Sequence, residues 1–199
     1  MRRAISHLSG RDPVIGRIIA AVGPYKITYL EPTFPTLVRS IVYQQLSGKV
    51  AKVIFGRLEE AAGGITPRSI LALEQSRLRG CGLSGRKTAY IRDLADKTVS
   101  GAVSFRKLPA MPDEGVIEHL TGVKGIGVWT AQMFLIFALR RPDVLPGGDL
   151  GIRTAIRNVY ELADLPSPKE VDRIGAPWRP YATVASWYLW RSLDNEAAL

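Results

Sequence analysis

Gly122, Gly125 and Gly127 punctuate the segment Leu120-Thr-Gly-Val-Lys-Gly-Ile-Gly-Val-Trp-Thr-Ala131. Closely spaced glycines let a backbone turn tightly and approach a ligand with no Cβ in the way. A short helix ends near Leu120 and an apolar one begins at Val128, so free N–H groups of a helix N-terminus would face outward, an arrangement that suits a phosphate. The same spacing also serves an ordinary turn between two core helices. Asp149 precedes a periodic apolar stretch from Leu150 to Leu162, the position of a helix N-cap. Metal and redox chemistry have little to work with. Cys81 is the one cysteine, which excludes an internal disulfide or a cluster held by several cysteines, and His7 and His119 are too few for a histidine-rich zinc site. Lys and Arg outnumber Asp and Glu by 27 to 18, a net charge of +9 that makes a polyanion a candidate partner.

The elements that must hold these residues are helices. Asp12-Pro13, Thr66-Pro67 and Ser167-Pro168 each place a capping residue before a proline, the favoured start of a helix, and Glu170 is spaced for a capping box. Pro35 opens a helix that carries Leu37, Val38, Ile41, Val42 and Gln45 on one side; Ser47-Gly48 breaks it, and Val50, Val53, Ile54 and Leu58 continue on the next. Ser84 can cap a helix with Tyr90, Ile91 and Leu94. No pair of alternating runs is joined by a hairpin turn, so no sheet is expected. The loop-like stretch from Ser100 to Pro112 divides two helical lobes, roughly 34–103 and 115–176, in a single domain spanning 1–199 with a cleft between the lobes and the terminal helices packed across one of them. The hydrophobic fraction of 46% fits a globular chain. No apolar run is long enough for a bilayer span, since Arg140 and Arg141 end the one from Met133 to Leu139. No secretory signal follows the N-terminal arginines, and a reducing, cytoplasmic and nucleoid-associated setting is expected.

The segment Gly122–Ala131 resembles the hairpin of the helix-hairpin-helix DNA glycosylases, usually Leu-Pro-Gly-Val/Ile-Gly, with Asp149 in Pro146-Gly-Gly-Asp-Leu-Gly-Ile-Arg153 standing where that family has a downstream aspartate. The stretches Ile41–Ala51, Gly82–Ala95 and Pro177–Trp190 also match, in the family's order, and the branch most similar is DNA-3-methyladenine glycosylase II. The family's hairpin proline is Lys124 here, which adds a charge near the expected phosphate. Gly147-Gly148 leads into Asp149 where the family has a proline, which predicts a more flexible loop. Longer members carry an N-terminal β-rich domain, and none is expected in this sequence.

The resemblance implies a fold and an activity. The fold is all-α, two helical lobes with a central cleft and a helix-hairpin-helix motif. The activity is hydrolysis of the N-glycosidic bond of alkylated bases, of the 3-methyladenine and 7-methylguanine type, in double-stranded DNA during base excision repair, by a monomer. Asp149 would be the catalytic carboxylate. Gln45 or Leu46 would fill the gap left by the flipped nucleotide. Trp187, Tyr188 and Trp129 would wall an aromatic base pocket, although aromatics on a buried helix are more often core. Gly122, Lys124, Gly125 and Gly127 would bind DNA phosphate. No cofactor is required, and a monovalent cation could sit on the carbonyls of Thr121, Val123 and Ile126. Met133 and Leu150 stand where other branch members have tyrosines. Trp129 occupies the position of the lyase branch's Schiff-base lysine, so strand cleavage is not expected. The alternatives are a glycosylase of the same fold acting on oxidised or deaminated bases, and a non-catalytic helix-hairpin-helix DNA-binding protein.

Overall fold

The computed structural model describes residues 1–194. Its described residues contain helices, turns and no strand. In chain order the helices are α1 (Arg2–Arg11), α2 (Pro13–Val22), α3 (Phe34–Tyr43), α4 (Gly48–Ala62), α5 (Pro67–Ala72) and α6 (Gln75–Gly80). They continue with α7 (Gly85–Val99), α8 (Asp113–Thr121), α9 (Val128–Phe137), α10 (Leu150–Val159), α11 (Pro168–Gly175) and α12 (Ala182–Asp194). No helix among the described residues is long and apolar enough to cross a membrane.

The capping residues act as their types require. Asp12 accepts from the backbone N–H groups of Val14 and Ile15 at 2.9 and 3.2 Å and starts α2. Thr66 with Ser69, and Ser167 with Glu170, form capping boxes on α5 and α11. Ser47 and Ser84 cap α4 and α7, and Gly63 ends α4 in the left-handed conformation. Two extents differ from the sequence pattern. The apolar period carries α3 as far as Gln45, but the helix stops at Tyr43 and Gln45 turns left-handed at φ +54°. The helix after Asp149 stops at Val159, short of Leu162.

The chain forms two compact units, and their boundary is not where loop composition suggested. One unit is Leu30–Leu139; the other joins Met1–Tyr29 to Arg140 onward. The stretch 100–112 lies inside the first of these, where Leu108 is buried in a short 3-10 turn and the Ser104 N–H donates to His119 Nε2. Loop-rich composition marks a chain's path over the surface, not the edge of a cooperative core.

In the 30–139 unit, Leu37, Val38, Ile41, Leu58, Ile91 and Leu94 are fully buried. Helix α9 carries Ala131, Phe134, Leu135 and Ile136 into the same interior. In the other unit the core joins α1, α2, α10 and α12 through Leu8, Ile15, Ile18, Ile152, Ile156 and Leu189. Trp178, the largest buried side chain there, donates its indole N–H to Asp12 at 2.8 Å. Tyr160 donates to the same carboxylate oxygen; burial first, then the hydrogen bond to Asp12, push its hydroxyl pKa up.

Candidate active site

The glycine segment is a tight hairpin between α8 and α9. Val123 and Ile126 are buried and pin it, with the Ile126 N–H donating to the Val123 carbonyl at 3.1 Å. Gly125 has φ +79°, and a Cβ there would lie 2.1 Å from the ring of Tyr90, so neither backbone nor space admits a side chain. Gly127 is the N-cap of α9 and brings no side-chain cap, which leaves the opening N–H groups of that helix without the usual intramolecular oxygen from a cap. Lys124 is exposed at the tip. Its backbone N–H donates to Asp93 Oδ2 at 2.9 Å, and the same oxygen takes the Lys97 ammonium at 2.8 Å. Burial pushes the Asp93 carboxyl up, but these hydrogen bonds outweigh it and hold it below the usual carboxylate range. Lys97 also donates to the Gly122 carbonyl at 2.5 Å, so an ammonium already serves the turn beside the carbonyls of Thr121 and Val123.

The turn that follows α3 lies in the same unit. Gln45 and Leu46 are both exposed, Leu46 by 38% despite being apolar. Lys87 donates to the carbonyls of Val42 and Gln44 at 2.8 and 2.7 Å, and the Gln44 side chain donates to the Gly125 carbonyl at 2.9 Å. Beside this turn opens a depression of about 610 Å³ lined by Tyr43, Gln45, Lys87, Tyr90, Trp129 and Met133, among others. Trp129 is 49% exposed, unusual for an indole, and lies on its wall.

Asp149 belongs to the other unit and caps α10, accepting the Ile152 N–H at 2.8 Å. The same oxygen accepts the indole N–H of Trp190 at 2.9 Å. Gly151 makes the approach possible, because a Cβ there would stand 3.0 Å from that oxygen and 3.1 Å from the Trp190 ring. The lead-in is not the loose loop that its glycines suggest. Val144 to Gly147 are buried, the Val144 N–H donates to Thr183 Oγ1, and the N–H groups of Gly147 and Asp149 donate to Leu145 and Pro146 carbonyls. A Cβ on Gly147 would come within 3.2 Å of the Pro168 carbonyl, so this glycine reflects close packing.

The aromatic assignments need correction. Tyr188 is 1% exposed and its hydroxyl donates to the Gly23 carbonyl at 2.9 Å, which makes it a core residue with no face for a base. Trp187 is 8% exposed and packs edge-on against Tyr25 and Tyr188 at 4.8 and 4.9 Å between ring centres. The α12 tryptophan at the carboxylate is Trp190. Trp187 and Trp190 are one helical turn apart, and α12 is apolar at both, so sequence spacing does not say which one faces Asp149. Leu150 is 64% exposed and Met133 lines the depression, so each has solvent access where the branch usually has a tyrosine.

Helices α8 and α9 with the glycine turn between them define a class, the helix-hairpin-helix scaffold. Residues 38–180 match the family model of the HhH-GPD superfamily of base excision DNA repair proteins, and the chain belongs to that family. It is 35% identical to DNA-3-methyladenine glycosylase 1 of Schizosaccharomyces pombe over 96% of this chain and 87% of that one. A solved structure of the S. pombe 3-methyladenine DNA glycosylase in complex with abasic DNA superposes with a TM-score of 0.84, covering 96% of this chain and 97% of that one at 36% identity. The DNA-3-methyladenine glycosidase of Bacillus halodurans superposes at 0.88, covering 98% and 90%, again at 36% identity. An 8-oxoguanine glycosylase/lyase from Clostridium acetobutylicum, at 19% identity and a TM-score of 0.78, shares the fold.

Proposed function

We propose that this chain, acting as a monomer, hydrolyses the N-glycosidic bond of N-alkylated purines in duplex DNA and leaves the strand uncut. The observation that carries the reading is Asp149, whose carboxylate oxygen is fixed by two N–H donors from separate helices. N-alkylation makes the base cationic and already a good leaving group, so one carboxylate suffices where ordinary glycosidases use two. Asp149 stabilises the positive charge that develops on the sugar and orients the attacking water, and a fixed dipolar setting makes that stabilisation effective. Trp190 keeps the oxygen in place, and Trp129, on the wall of the depression beside the turn after α3, is the aromatic partner of the cationic base in this reading.

Leu46 is the wedge in this reading, because an apolar side chain at an exposed tip gains by entering the base stack. The hairpin binds phosphate through the turn at Gly125 and Gly127, with Lys124 adding a charge. No cofactor takes part. A monovalent cation on the carbonyls of Thr121, Val123 and Ile126 is the least supported element, since the Lys97 ammonium on the neighbouring Gly122 carbonyl already brings positive charge to the turn.

Incubation with a duplex carrying one N-methylated purine should therefore give intact abasic strands that break only after hot alkali. Borohydride should trap no protein–DNA adduct, because the lyase lysine's position is held by an indole. A trapped adduct abolished by changing one lysine contradicts the hydrolytic reading, and a duplex returned with its methylated base intact contradicts the activity.

A further inference from the structure

Lys87 lies in the first turn of α7, the positive end of a helix, where a cation is disfavoured. Its ammonium is turned inward and partly desolvated, which pulls its pKa below the usual lysine value. Both effects oppose placing a charge there, so specific contacts must outweigh them. The contacts are the carbonyls of Val42 and Gln44 at 2.8 and 2.7 Å, at the negative C-terminal end of α3, which has no glycine cap of its own.

The Gln44 carbonyl belongs to the peptide unit that leads into Gln45. Holding that oxygen fixes the plane on one side of Gln45, a non-glycine residue kept at φ +54°. Such a conformation persists only where its surroundings over-determine it. Gln44 completes the link by donating its side-chain amide to the Gly125 carbonyl at 2.9 Å. One turn along α7 from Lys87, Tyr90 lies against Gly125 so closely that no Cβ fits. The same face of α7 thus holds the turn after α3 and the hairpin.

We propose that Lys87 is a positioning residue that holds the Gln44-Gln45-Leu46 turn in register with the hairpin, so that the wedge is preorganised before DNA arrives. The proposal rests on the glycosylase reading given above. Lys87 touches no reacting atom. Its contribution is to base opening, and opening is most costly for a lesion that is still paired and stacked.

The test is single-turnover excision of an N-methylated purine from two duplexes, one with the lesion fully paired and one with it opposite a mismatched base. Lys87→Met keeps the length and removes the charge. It should slow excision about tenfold or more in the paired duplex and by no more than about threefold in the mismatched one. Lys87→Arg, which can still donate to both carbonyls, should recover part of the loss. If Lys87→Met does not fold by circular dichroism, Gln44→Met cuts the link at its other end and should show the same paired-over-mismatched bias. A 2-aminopurine placed next to the lesion should lose its rise in fluorescence on binding in both variants, independently of excision. Equal losses on the two duplexes, or no loss on either, overturn the positioning role. Failure of the unaltered protein to excise from either duplex overturns the glycosylase reading, and the proposal with it.

Discussion

Asp12 and Asp149 sit in the same unit and are built on one plan: each caps a helix, and each accepts a tryptophan indole N–H from a distant part of the chain. They differ in how completely they are enclosed. Asp12 is 8% exposed, and its oxygens serve Val14, Ile15, Trp178 and Tyr160. Asp149 is half-buried, and one of its oxygens carries both the Ile152 and the Trp190 bonds. Capping geometry alone does not set the two carboxylates apart. What separates them is burial: the first is buried among its donors, whereas the second is half-buried.

Asp12→Ala removes the cap of α2 and leaves the Trp178 N–H and the Tyr160 hydroxyl in the interior without that acceptor. It should cost about 3 kcal/mol or more in a denaturant titration, with the excision rate of the folded fraction little changed. A loss of rate without a loss of stability would assign Asp12 a role in the chemistry.

Trp190→Phe acts at the other carboxylate. It keeps an aromatic ring and removes the indole N–H that Asp149 accepts. Excision should fall about tenfold, because a hydrogen bond to a charged group contributes about 1.5 kcal/mol or more. The drop belongs in the maximal single-turnover rate and not in DNA affinity, so a change in affinity alone would place Trp190 among the DNA contacts.

Smaller still is the effect expected at the hairpin tip. Lys124→Ala should weaken binding to methylated and unmethylated duplexes alike and reduce the slope of log affinity against log salt by about one. An unchanged slope would put Lys124 away from the phosphates. Replacing sodium and potassium by tetramethylammonium at constant ionic strength should change DNA affinity by less than about twofold, since Lys97 stands at the turn. A larger loss would show that the carbonyls of Thr121, Val123 and Ile126 hold a cation.

How much of this was legible in the sequence depends on the range of each contact. The capping residues of α2, α5, α7 and α11 read correctly because a cap and the N–H donors it accepts from are three residues apart or closer. The hairpin was legible because Gly125 has a local reason to lack a side chain, and the cap at Asp149 for the same kind of reason. Trp190 was passed over in favour of Trp187 because its bond to Asp149 spans 41 residues, and neighbouring faces of an apolar helix give no rotational cue. The role of Lys87 has no local cue, since its acceptors are 45 and 43 residues away. The unit boundary was misplaced because the bond from the Lys124 N–H to Asp93 ties the hairpin to α7, across the loop taken for a divide.

Asp149→Asn tests the role of this carboxylate with the least disturbance. Asparagine keeps the size and an oxygen that can still accept from Ile152 and Trp190, so the melting temperature should move by no more than a few degrees. Binding to abasic-site DNA should persist or tighten once a negative charge is removed. Single-turnover excision of an N-methylated purine should fall by about a hundredfold or more. A folded Asp149→Asn protein that still excises the base at close to the original rate would contradict the assignment.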